Sequence, residues 1–253
     1  MKKTALLITA SAILLIGGIT LLTVKGNLPA VLLSYITFGQ SELKDQDETE
    51  LTAIGDSLAF GVGDEEGAGY IGDVKFRYEK ATGRTLELKD FGVPGDTSSD
   101  MLKRLNRGDF LDEVKESDIL LVNIGTNDLL KATDDLQNLD ERKIEKAKMQ
   151  FVRNMIAAFK KVENNQRNVP IYIIGLYNPV KENEKQEKVE KVIQEWNNET
   201  KKAAVAYPAV TFIATDDLFR GKQKEVYFSD QLHPNKKGYA LIGERVFIML
   251  SKK

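Results

Sequence analysis

One histidine stands in the 253 residues, His233, so any step that needs an imidazole must use it. It lies three positions after Asp230, in Ser229-Asp230-Gln231-Leu232-His233-Pro234-Asn235. That spacing lets a single turn bring both side chains to one side. The carboxylate can then accept from one ring nitrogen and leave the other to act as a base. The plain alternative is a surface histidine. A hydroxyl that such a base could activate stands far upstream, in Gly55-Asp56-Ser57-Leu58-Ala59-Phe60-Gly61. Here the alternative is a helix cap, since Asp and Ser both cap well.

Two further segments could serve a developing negative charge. Gly92-Val93-Pro94-Gly95-Asp96-Thr97-Ser98 places glycines where a backbone N–H can be turned toward a ligand. The alternative is an ordinary turn into a helix capped by Asp96 or Thr97. Gly125-Thr126-Asn127-Asp128 offers the Asn127 amide, a neutral donor suited to an oxyanion. Its alternative is a helix N-cap. Each segment alone is ambiguous. Together they supply a nucleophile, a base, an orienter and oxyanion donors, the set that acyl transfer needs.

Such residues need a frame that makes them converge, and the hydropathy pattern describes one. Leu51–Ile54 reads as a short apolar strand, and Thr85–Phe91 alternates as a strand should. Asp118–Ile124, Val169–Gly175 and Val210–Ala214 are further strand candidates, the first a continuous apolar run of the kind buried on both faces. Between and after them, Ile144–Val162, Glu184–Ala206 and Asn235–Leu250 carry apolar residues at spacings of three and four. Alternation of this kind predicts an α/β fold, a parallel sheet with helices on both faces. In an open sheet of that class, ligands bind outside the carboxyl ends of the strands. The four segments fall at strand ends or at a helix start.

Composition narrows the chemistry. The 36 Lys and Arg nearly balance 38 Asp and Glu, for a net charge of -2, which gives no electrostatic case for nucleic acid. The absence of cysteine excludes disulfides, thiolate metal sites, a cysteine nucleophile and a bacterial lipoprotein anchor. With one histidine and no cysteine, a metal-dependent phosphoesterase would have only carboxylate ligands. No metal and no cofactor is expected.

At these residues the chain resembles the GDSL/SGNH hydrolase family, in its bacterial lipase/acylhydrolase-like branch. The match runs in the family's order across Leu51–Leu250. Gly55-Asp56-Ser57-Leu58 corresponds to the first block, Gly95 to the glycine block, Gly125-Thr126-Asn127-Asp128 to the G-x-N-D block, and Asp230 with His233 to the D-x-x-H block. The resemblance implies a three-layer, flavodoxin-like fold with five parallel strands and a variable insert between Leu129 and Arg142. It implies a serine esterase with Ser57, Asp230 and His233 as triad. The N–H groups of Ser57 and Gly95 and the Asn127 amide would form the oxyanion hole, with Asp56 supporting the turn. The substrate would be a carboxylic ester, of a lipid or of an acetylated glycan. The second glycine of a G-x-S-x-G elbow is missing, because Ala59 takes its place. A silent binding module for cell-wall glycans is the rival of a different class, and an acyltransferase using the same acyl-enzyme is another.

Residues 1–25 form a separate expectation. Lys2 and Lys3 precede an uninterrupted apolar run from Ala5 to Val24. At about 1.5 Å per residue a helix of that length spans a hydrocarbon core of about 30 Å. The leading lysines favour an uncleaved transmembrane signal anchor with the bulk of the chain outside the cytoplasmic membrane. A cleaved secretory signal is the alternative, and a buried core helix a more distant one. Residues 26–50 read as an interfacial or linker segment, ending in the acidic stretch Ser41–Glu50. The hydrolase domain is then expected over 51–253.

Overall fold

The computed structural model describes residues 48–65, 68–165, 169–180 and 184–252. The expected anchor at 1–25, and the interfacial segment up to residue 47, lie outside the described residues. Among the described residues no helix is long and apolar enough to cross a membrane.

Five strands form one parallel sheet in the order β2-β1-β3-β4-β5: β1 Glu48–Gly55, β2 Thr85–Gly92, β3 Ile119–Asn123, β4 Ile171–Ile174 and β5 Val210–Ile213. All five expected strands are present. The first begins earlier than Leu51, because Glu48, Thr49 and Glu50 pair with Thr85, Leu86 and Glu87. The acidic run therefore contributes its last residues to the sheet rather than to a linker. Strand order reverses direction at β1, whose neighbours β2 and β3 lie on its two sides, so the crevice above β1 and β3 is the topological switch point.

Nine helices are described: α1 Ser57–Phe60, α2 Gly69–Thr82, α3 Ser98–Arg107, α4 Leu111–Glu116, α5 Thr126–Ala132, α6 Glu141–Asn165, α7 Glu184–Val205, α8 Lys224–Tyr227 and α9 Lys236–Leu250. Side chains of a strand alternate between faces, and the sheet divides its core accordingly. Leu120, Val122, Ile171 and Ile173 face Met101, Leu105, Phe151, Met155, Ile193 and Trp196 of α3, α6 and α7. Leu51, Ala53, Leu121, Tyr172 and Ile174 face Tyr70, Ile71, Val74, Tyr239, Ile242 and Val246 of α2 and α9. Two packed faces explain why β3 and β4 read as continuous apolar runs. They also make the sheet a rigid platform for whatever its carboxyl ends carry.

The α2 helix has no counterpart in the sequence reading. Gly69 and Gly72 lower its intrinsic propensity, and Phe76 is exposed, which blurs the apolar stripe of Tyr70, Ile71 and Val74. Packing against α9 supplies what local preference does not.

Candidate active site

Ser57 opens α1 directly after β1. Asp56, not Ser57, provides the helix cap, with its Oδ1 accepting from Leu58 N at 3.0 Å. The serine hydroxyl is thereby released from capping, and it meets His233 Nε2 at 3.0 Å. On the other side of the ring, His233 Nδ1 lies 2.7 Å from Asp230 Oδ2. The acid, the imidazole and the hydroxyl therefore form one continuous relay. His233 is not a free surface histidine, its side chain being 18% exposed.

The relay is held by its own loop. Asp230 Oδ1 accepts from both Leu232 N and His233 N at 2.7 Å, and Ser229 N donates to His233 O at 2.9 Å. Burial would lift the Asp230 carboxyl, but hydrogen bonds from the His233 backbone, the His233 ring and Leu232 N outweigh it and hold it below the ordinary carboxylate value. It is therefore ionised wherever the imidazole needs a partner. Pro234 pairs in an antiparallel bridge with Phe228, and Asn235 caps α9 through Lys237 N and Gly238 N.

Sequence reasoning missed Gly63. At φ +96° it sits so close to Ser229 Oγ, Pro234 O and His233 Cβ that a side chain there would collide with the histidine loop. Gly63 thus lets the chain after α1 close against the base. Tyr239 Oη donates to Val62 O at 2.6 Å, and Tyr177 Oη to Leu232 O at 2.8 Å. These tie both segments to the body of the fold.

On the opposite side lie the other two segments. Gly95 has φ +87° and nothing within 4 Å of the place a Cβ would take. Glycine is needed there for its backbone angle, not for lack of room. Among the described residues neither Gly95 N nor Ser57 N is engaged in a hydrogen bond, so both donors are unspent. Gly125, at φ +118°, is the N-cap of α5, so Asn127 is not the cap. Its Nδ2 donates to Asp96 O at 2.9 Å, which uses one of two amide protons. Thr97 caps α3 in a capping box with Asp100. Asp128 accepts from Ser98 N at 2.8 Å and from Ser98 Oγ at 2.6 Å, locking the two segments together.

Beneath Ser57 lies an acid of different character. Asp56 is fully buried, and its Oδ2 has no hydrogen-bond partner among the described residues. Burial pushes its carboxyl up to about 7, against the Leu58 N–H, and the charges of Asp128 and Asp96 add to the rise.

Beside the relay is a narrow apolar cavity of about 10 Å³, walled by Leu129, Leu130, Leu136, Leu176, Tyr177 and Leu232 among others. Thr126 and Leu232, the neighbours of Asn127 and His233, both line it. A far larger groove of about 980 Å³ lies between α6 and α7, rimmed by Glu141, Arg142, Lys188, Lys191 and Glu195. It contains none of the relay or donor residues.

The arrangement can carry nucleophilic attack by a hydroxyl on a carbonyl, with donors waiting for the oxygen that becomes charged. A sequence model of the GDSL-like lipase/acylhydrolase family matches residues 53–241. The chain is 28% identical over 206 residues to the spore germination lipase LipC of Bacillus licheniformis, covering 78% of this chain and 94% of that one. It is 27% identical over 218 residues to the uncharacterized protein YpmR of Bacillus subtilis, covering 84% and 85%. Among solved structures, the lipase Lip_vut3 from a goat rumen metagenome superposes with a TM-score of 0.69 at 27% identity, over 78% of this chain and 95% of that one. The acetylxylan esterase Axe2 of Geobacillus stearothermophilus, at 15% identity, shares the fold with a TM-score of 0.61 over 79% and 93%.

Proposed function

The chain belongs to the GDSL-like lipase/acylhydrolase family, of carboxylic ester hydrolases, and we propose that it cleaves its ester through an acyl-enzyme on Ser57. The observation that carries this reading is the relay from Asp230 Oδ2 through His233 to Ser57 Oγ, at 2.7 and 3.0 Å. His233 Nε2 takes the Ser57 proton as Oγ attacks the ester carbonyl. The Asp230 carboxylate fixes the ring tautomer and stabilises the imidazolium. The N–H groups of Ser57 and Gly95 and the second amide proton of Asn127 receive the oxyanion. His233 then protonates the departing alcohol. Water, deprotonated by the same nitrogen, attacks the acyl carbon; the bond to Ser57 Oγ breaks, Oγ takes the proton back from His233, and the acid leaves. A glycan-binding module would have no use for this aligned relay, which speaks against that rival.

The walls of the small cavity favour an ester of a lipid over an acetylated glycan. They are leucines and an aromatic ring, beside both the base and the amide donor. A cavity of about 10 Å³ holds about one water, so a chain of several carbons needs a wall to move. Leu136 is the candidate. It ends a run of three non-glycine residues in the left-handed region, Asp134, Asp135 and Leu136 at φ 48°, 55° and 64°. Each such residue costs about 1–2 kcal/mol, and we propose this turn as the wall that moves. The test is a series of p-nitrophenyl esters from acetate upward, run with the Ser57→Ala and Leu136→Ala variants. Activity that peaks beyond acetate, vanishes in Ser57→Ala and shifts to longer chains in Leu136→Ala is the expected result. A maximum at acetate that Leu136→Ala leaves in place would favour the acetyl-glycan ester.

For place of action, the uninterrupted apolar run Ala5–Val24 behind Lys2 and Lys3 supports a signal anchor, with the hydrolase outside the cytoplasmic membrane. Protease added to intact protoplasts should digest membrane-bound protein. Protected protein would put the domain on the cytoplasmic side.

A further inference from the structure

Arg104 lies on α3, outside every motif that the sequence singles out, yet its side chain reaches the turn that carries Gly95. Its Nη1 donates to Asp96 Oδ2 and its Nη2 to Phe91 O, both at 2.9 Å. One planar fork thus grips both ends of the 91–96 turn. The pair is shielded, with the arginine side chain 15% and the aspartate 14% exposed. The guanidinium lies over the buried Phe110 ring, 5.2 Å from its centroid, which fixes the plane of the fork.

Asp96 is where this grip meets the chemistry. Its carboxylate is held by Arg104, its N–H closes the turn on Val93 O at 3.1 Å, and its carbonyl accepts from Asn127 Nδ2. The next residue back is Gly95, where a side chain would meet nothing within 4 Å, so that face of the turn is open. The bonds made at Asp96 fix the turn immediately after it. Resting on the reading of Ser57 as nucleophile, we propose that Arg104 is a positioning residue for the oxyanion hole, setting both the Gly95 N–H and the Asn127 amide through Asp96. A lysine at this position keeps the charge but offers no planar fork to grip two acceptors.

The test compares Arg104→Lys with Arg107→Lys, a control on the same helix whose arginine bonds Asp109 and feels Asp96 through its charge alone, which a lysine keeps. In Arg104→Lys, kcat is expected to fall by about 10-fold with KM nearly unchanged, since small misplacement of a transition-state donor costs rate rather than binding. Affinity for a boronic acid that mimics the tetrahedral intermediate should fall by the same factor. The kcat loss should shrink in an Asn127→Ala background, because both changes act on one hole. Asp96→Asn, which keeps the carbonyl and loses the charge partner, should move kcat in the same direction and guards against a folding failure in Arg104→Lys. An unchanged kcat, a rise in KM alone, or full additivity with Asn127→Ala overturns the positioning role while Ser57-dependent activity stands. Activity that survives Ser57→Ala overturns the acyl-enzyme reading, and this proposal with it.

Discussion

On one side of Ser57 the base and its acid come from a single loop, three positions apart, with the loop's own N–H groups turned onto Asp230. On the other side the donors come from turns after two different strands, and the bond between Asn127 and Asp96 joins residues 31 apart. A local assembly forms whenever its loop does. The long-range one exists only once β1, β2 and β3 are in register. Errors on the two sides should therefore differ in kind. Damage to the base side removes chemistry outright, whereas damage to the donor side degrades geometry by degrees.

The sharpest way to break this contrast is His233→Ala. No other imidazole exists to replace it, so esterase activity should fall by at least ~10³-fold while the far-UV spectrum and melting temperature hold. A loss comparable to that of a donor-side variant would erase the distinction. Next comes Asn127→Ala, expected to lower kcat by roughly 10²–10³-fold with little change in KM. Because its Nδ2 also holds Asp96 O, this variant should lose some rigidity in the Gly95 turn, visible as faster amide exchange at Val93 and Asp96, whose N–H groups are bonded. A rise in KM with kcat intact would make Asn127 a substrate-binding residue instead.

The contrast also explains what the sequence made legible. The acid–base pair was readable, because Asp230 and His233 lie three positions apart and the sequence holds no other imidazole. All five strands were readable too, since β3 and β4 are apolar on both faces. The ties on the donor side were not. Ser98 to Asp128, Asp96 to Asn127 and Arg104 to Asp96 are made by side chains that are plain helix caps or surface charges until the strands align. Gly63 was hidden for the same reason, as its need for no side chain comes from a loop about 170 positions away. The α2 helix was missed because tertiary packing overrides its glycines.

Asp56 belongs to neither side, and its charge couples it to Asp96 and Asp128 on the donor side. Its carboxyl is raised from 3.8 to about 7 in the folded chain, so the folded state holds a proton that the unfolded state releases between those values. The sign follows by linkage: stability is fully present below about pH 4 as regards this group, and is lost as pH climbs toward 7. The loss is roughly 4 kcal/mol at most. Asp90 and Asp128, also raised by burial, act in the same direction. Urea unfolding at pH 5 and pH 8 should show the chain less stable at the higher value. Asp56→Asn, which keeps an oxygen for Leu58 N, should remove most of that slope. An equal slope in the variant would shift the burden to Asp90 and Asp128.

The smallest effect on catalysis is expected at the far end of β1. A chain starting at Asp47 keeps every described strand pairing, whereas one starting at Leu51 loses the pairs of Glu48, Thr49 and Glu50 with β2. It also loses the bond between Thr49 Oγ1 and Tyr78 Oη at 2.8 Å and that from Glu50 N to Asp118 at 2.9 Å. Each such bond is worth about 1 kcal/mol net, and about 4 °C or less per kcal/mol in a domain of this size. The shorter chain should therefore melt several degrees lower. Its kcat should match that of the longer one, because Ser57 lies at the opposite end of the strand and β1 still pairs with β3 from Leu51 to Gly55. Side-by-side melting curves and ester kinetics on the two chains decide the matter. A fall in kcat at equal substrate saturation would mean that strand register at the amino end reaches the nucleophile, and that the base side is less local than its loop suggests.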